Sequence, residues 1–200
     1  MPTRPKTNRP SPRRDQRETS FLTQEKLKRS FAVMTSKRDR ALFLLGYRYG
    51  LRVSEIRMLE RDDADLKHGR LTVRRLKGSL GGIYPMQPEE IKLLRSYLRS
   101  REDALPYLFI SNRGRPLDRT VLWRRIKKYA EAAKVDPRKV KPYALKHSIA
   151  THLLDAGADL AFVKDWLGHA NIQSTTIDAQ LTNPARDQQA RNLFASHRVV

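Results

Sequence analysis

Glycine stops that close apolar helical runs constrain this chain more than any other feature. RDRALFLLGYRYG ends at Gly50, ALKHSIATHLLDAG at Gly157 and ADLAFVKDWLG at Gly168, each an apolar periodic segment closed by the residue that best ends a helix. One region breaks the pattern. GRLTVRRLKG and GGIYPMQP alternate around a glycine-rich turn and read as a β-hairpin. The sequence therefore predicts a mainly α fold with a small antiparallel sheet, an α+β class.

Further helices follow from start signals. Thr23 is placed to cap TQEKLKRSFAVM, Ser54 to cap a short SEIRML helix, and Asp118 to cap RTVLWRRIKKYAEAA. In the last of these Val121, Leu122, Ile126 and Tyr129 form the apolar face and the opposite face is basic. PEEIKLLRSYLRSR sets Ile91, Leu94, Tyr97 and Leu98 at helical spacing, and YLFI reads as a short buried strand or extended piece. Asn183-Pro184 is a cap-plus-first-turn start for a last helix. Residues 1–20 hold four prolines and six arginines or lysines with almost nothing apolar, so they read as a disordered basic arm ahead of one folded domain over 21–200.

Charge narrows the partners. The 200 residues carry 41 Lys+Arg against 21 Asp+Glu, a formal net charge of +20. Such a field favours a polyanion, nucleic acid first and an anionic membrane surface second. No apolar run reaches the roughly 18 residues of a spanning helix, and the first twenty residues lack the apolar core of a secretory signal. With no cysteine, disulfides, thiolate nucleophiles and thiolate metal sites are excluded. His147 and His152 lie five apart, the wrong spacing for two ligands on one helical face, so no metal or other cofactor is expected.

Several basic side chains sit where an anion could be held. Arg52, in GLRVSE, lies just past a helix stop and at the start of the next helix, where its fork can join backbone N–H groups around a phosphate. The plainer reading is an ion pair with Glu55. Lys77, in RRLKGSLGG, occupies the hairpin tip, as a groove contact, a proton donor to a leaving oxygen, or only a solvated lysine. His169 follows a helix-ending glycine, where capping or core packing is the default.

Taken in order, GLRVSEI, RLKGSLGGIYP, YLFISNRGRPL and PYALKHSIATHLLDAGADLAFVKDWLGHANIQSTT resemble the catalytic domain of the tyrosine recombinases, or phage integrases, over about residues 22–195. With no separate core-binding domain expected ahead of residue 22, the chain looks most like the short recombinases that invert fimbrial promoter elements. The resemblance implies attack of a tyrosine on a DNA phosphate, release of a 5′-hydroxyl and a 3′-phosphotyrosine intermediate. Two arginines hold the non-bridging oxygens as charge builds. It places the first catalytic arginine on Arg52, the catalytic lysine on Lys77 and the second histidine on His169.

Three positions depart from that pattern. The family's His-x-x-Arg pair reads Tyr143-Ala144-Leu145-Lys146, and the nucleophile position, nine residues after His169, is Asp178. Lys146 keeps charge but loses the planar fork. Tyr143 is a phenol with an ordinary pKa of about 10, a poor base near neutrality. No tyrosine follows Tyr143. An Asp178 carboxylate would approach a phosphodiester as a like charge and give a mixed anhydride that water opens, which suits strand exchange badly.

The resemblance and the charge together imply a binding protein that holds duplex DNA without cutting it: a regulator or accessory factor on a mobile element, nucleoid- or plasmid-associated in a bacterial cytoplasm. The expected contacts are Arg52, Arg74, Arg75, Lys77, Arg124, Arg125, Lys127, Lys146, His147, His169 and the arm. The last helix is placed to join copies of the chain on DNA, and an active recombinase is a possible partner. The alternatives are an active recombinase with an unusual or trans-donated nucleophile, and a basic nucleoid binder that chooses no site.

Overall fold

A computed structural model describes residues 21–76, 78–138, 140–141, 143–178, 186–188 and 190–192. Helix α1 (Gln24–Ala32) starts where expected, with the Thr23 hydroxyl accepting from the Lys26 N–H. Helix α2 (Lys37–Arg48) is capped by Ser36 and ends in a turn where Gly50 takes φ +56°. Helix α3 (Val53–Met58) corrects the expectation for Ser54, which lies inside the helix. Arg52 is the cap residue, and its backbone N–H donates to the Glu55 carboxylate at 2.8 Å. That side chain satisfies one of the four N–H groups a helix start leaves open.

A single 3-10 turn (Arg61–Asp63) leads into a three-stranded antiparallel sheet, β1 (Ala64–Asp65), β2 (Arg70–Val73) and β3 (Gly82–Pro85), in the order β1-β2-β3. The hairpin is β2–β3, with Leu71 opposite Tyr84 and Val73 opposite Gly82. Alternation turns Leu71 and Val73 inward, both essentially fully buried. Helix α4 (Pro88–Leu98) carries Pro at its first position and buries Leu94 and Tyr97. The YLFI segment makes only isolated bridges, Tyr107 with Glu60 and Ile110 with Pro116, while Leu108 and Phe109 sit in the core. Helices α5 (Arg119–Ala132), α6 (Ala144–Asp155), α7 (Leu160–Trp166) and α8 (Ile172–Asp178) complete the order. The basic arm lies outside the described residues, and of the last helix only 186–188 and 190–192 are described, all helical.

Helix α2 is the centre of packing, against α4 on one side and α6 on another. Its Leu42 and Leu45 are fully buried in one core with Leu71, Leu94, Leu108 and Leu122, and a smaller cluster of Ile149, Ala150, Val163 and Leu167 joins α6 to α7. Asp39, buried in α2, accepts from Arg125 at 2.7 Å and from the Tyr129 hydroxyl at 2.8 Å, which ties α5 to that centre.

His152 of α6 is buried against α2, its Nδ1 2.8 Å from the Tyr47 hydroxyl. Burial holds its pKa below the ordinary 6.5 against the pull of Asp155. The folded state therefore takes up this proton less readily than the unfolded chain. Stability is full at neutral pH and is lost as pH falls below about 6.5 and through the lower folded value. Urea unfolding midpoints should drop between about pH 7.5 and 5.5, and His152→Gln should remove part of that slope; an unchanged slope in the variant would contradict the assignment.

Candidate functional site: a cationic cluster around Glu55

The first position to place is Arg52. It lies between the Gly50 turn and α3, with about a third of its side-chain surface open. Its Nη1 donates to Glu55 Oε1 at 2.9 Å and to Ser79 Oγ at 2.8 Å. The plain ion pair thus forms, but it is one bond of several. Glu55 is fully buried. Burial acts to raise its pKa, and the Arg52 N–H, the Arg75 charge and the Arg52 side chain outweigh that, so it falls below the ordinary carboxylate value.

Arg75, one of the expected DNA contacts, lies inside the protein. Its side chain is fully buried, with Nη1 donating to Glu55 Oε2 at 3.2 Å and to the Gly50 carbonyl at 3.1 Å. Its Nη2 donates to the carbonyls of Tyr49 at 2.8 Å and Trp166 at 3.1 Å. A guanidinium so enclosed does not reach a surface ligand. It joins the loop end of the hairpin to the α2–α3 turn and to the end of α7. Arg74, on the opposite strand face, is half exposed and bonded to Asp63 at 2.8 Å and Glu60 at 3.2 Å.

Lys77 lies outside the described residues, but the hairpin on its C-terminal side is fixed. The Leu80 N–H donates to the Gly168 carbonyl at 2.9 Å, and Ser79 pairs with His169 as an antiparallel bridge. Gly168 has φ +64°, and a Cβ there would stand 2.3 Å from the Leu80 carbonyl oxygen and 2.9 Å from Arg75 Nε. Only glycine lets the hairpin come this close.

His169 is buried, its Nδ1 2.8 Å from the hydroxyl of buried Thr175 in α8. Lys146, buried in the first turn of α6, donates through Nζ to the Leu167 carbonyl at 3.1 Å. Tyr143 caps α6 and is half exposed, with its ring 6.3 Å from that of His147, itself partly exposed on α6. Asp178 ends α8, while its side chain lies outside the described residues. The structure thus gathers Arg52, Lys146 and His169 around one turn, with Glu55, Arg75, Ser79, Gly168 and Thr175 supporting them.

The α5 cations stand apart from this cluster. Arg125 is paired with Asp39, Lys127 lies 4.9 Å over the Trp123 ring, and Arg124 is exposed. Among the described residues no group of three or more His, Asp or Glu could hold a metal ion, and no helix is long and apolar enough to cross a membrane.

An arginine at a helix start, a buried lysine and a histidine around one turn can hold an anion of phosphate type. The phage integrase family model matches residues 20–183, and the chain belongs to that family, the tyrosine recombinases, as a catalytic-domain fold. It is 40% identical over 166 residues to the tyrosine recombinase XerA of Thermococcus kodakarensis, covering 80% of this chain and 58% of that protein. To the XerD of Ralstonia nicotianae it is also 40% identical over 166 residues, covering 80% and 52%. The chain therefore spans little more than half the length of these relatives. A crystal structure of XerA recombinase superposes with a TM-score of 0.75 at 32% identity, over 90% of this chain and 64% of that one. A XerH recombinase bound to palindromic difH substrate shares the fold, with a TM-score of 0.73 at 22% identity over 86% and 52%.

Gly168 offers a direct check of the hairpin contact. Gly157 also takes a positive φ, +94°, but a Cβ there meets nothing within 4 Å. Each Gly→Ala variant carries backbone strain of about 1 kcal/mol. Gly168→Ala must also displace the Leu80 carbonyl, so it should lose clearly more stability in chemical denaturation than Gly157→Ala. Equal losses would show that the hairpin yields without cost.

Proposed function

We propose that this chain is a DNA-binding member of the tyrosine recombinase family that holds duplex DNA through the Arg52–Lys146–His169 cluster and does not cleave it. The observation that carries the reading is Asp178, nine residues beyond His169, where the family's motif has its tyrosine. The Ser174-Thr175-Thr176 run before it supports that register, and residues 179–200 hold no tyrosine. The net charge of +20 supports a polyanionic partner. Lys77, Arg124, Lys127, His147 and the N-terminal arm are the further phosphate contacts in this reading, and Arg74 and Arg125 join them only by leaving their carboxylate partners. Arg75 is left out of the contacts in this reading because its two terminal nitrogens are taken up by Glu55 and by the Gly50, Tyr49 and Trp166 carbonyls. The biological role that fits is a regulator or accessory factor on a mobile element, beside an active recombinase.

A nicked suicide duplex from the neighbouring genes tests the loss of cleavage. No protein–DNA adduct should survive SDS, and an adduct that disappears in Asp178→Ala would overturn the reading in favour of an acid nucleophile. Binding itself should weaken steeply with salt, and Arg52→Ala should cut affinity about tenfold and reduce the slope of log K against log salt by about one. A flat salt response would count against phosphate contacts altogether.

A further inference from the structure

The buried carboxylate of Glu55 poses a problem for a phosphate site. Both of its oxygens point at Arg52, one to the guanidinium at 2.9 Å and one to the backbone N–H at 2.8 Å. An arginine paired one-to-one with a buried acid presents little net charge to an incoming anion. A second cation on the same carboxylate changes that balance. Arg75 Nη1 reaches Glu55 Oε2 at 3.2 Å, with no part of its side chain exposed.

We infer that Arg75 is a positioning residue for anion binding: it neutralises Glu55 from inside the protein, so that Arg52 faces the ligand with its full charge. Arg75 touches no ligand in this arrangement. Two cations share one acid, for a net charge of +1 on the Arg52–Glu55–Arg75 group, and the outer cation is the one with open surface. Four bonds to Glu55 and to the Gly50, Tyr49 and Trp166 carbonyls keep the inner cation from leaving. A fork is needed, because a single ammonium cannot serve the carboxylate and three carbonyls at once. The low-dielectric setting makes each buried charge count for more at a nearby phosphate than an exposed one would.

This inference rests on the reading that Arg52 holds a DNA phosphate, and a charge cycle separates the two. The probe is a short fluorescent duplex of random sequence at fixed ionic strength, titrated with full-length protein well below its melting transition. Arg75→Met should weaken binding about tenfold. Glu55→Gln combined with Arg75→Met should return affinity to within about threefold of the parent, because the acid that Arg75 balanced is gone. Glu55→Gln alone should bind about threefold tighter. Equal weakening in Arg75→Met and the double variant, or parental affinity in Arg75→Met, would overturn the inference and leave Arg75 as a packing staple. If Arg75→Met does not fold, Glu55→Gln decides, with unchanged or weaker binding overturning the inference. Should Arg52→Ala bind like the parent, the phosphate reading fails and this inference falls with it. If Arg52→Ala weakens binding and Arg75→Met does not, only the inference falls.

Discussion

The buried carboxylate of Glu55 is the interaction on which the functional end of this molecule depends. A lone ionised acid in a protein interior is unfavourable unless paired and hydrogen-bonded. Glu55 meets that condition by drawing two parts of the chain together: the start of α3, through the N–H and the side chain of Arg52, and the loop end of the hairpin, through Arg75. Once Arg75 is in place, its other N–H groups take the carbonyls of the α2–α3 turn and of Trp166. The relative placement of hairpin, turn and α7 then follows from one acid's need for partners.

The second half of the cluster is built on the same end of α7. Arg75 bonds the Trp166 carbonyl and Lys146 the Leu167 carbonyl, so two cations hold carbonyls that a helix end leaves without intrahelical partners. Gly168 then turns the chain with a positive φ, which lets the Leu80 N–H bond its carbonyl and sets His169 beside Ser79. Ser79 completes the circuit by bonding Arg52. The histidine and the arginine come from distant parts of the sequence, and the hairpin is the piece that joins them.

Much of this was legible in the sequence, for identifiable reasons. Thr23 and Asp118 cap their helices because a side-chain oxygen beside open N–H groups acts locally. Ser54 misled because Glu55, one residue on, reaches back to the Arg52 N–H instead. β1 has only two residues, too short for alternation to show. Charge alone does not distinguish Arg74 from Arg75, although period two separates them. Counting on from Leu71 and Val73 places Arg75 on the inward face and Arg74 on the outward one. The signal was there, but a charged side chain on an inward register becomes credible only when a buried acid is known to wait for it. Glu55 itself looked like an ordinary helix partner of Arg52, since its second arginine lies twenty residues away.

The contacts that hold Arg52, Lys146 and His169 run through Glu55, Arg75, Ser79, the Leu167 carbonyl and Thr175. At position 146 the lysine ammonium bonds the Leu167 carbonyl, which ties α6 to the end of α7. A buried acid and a helix end hold the cationic cluster together.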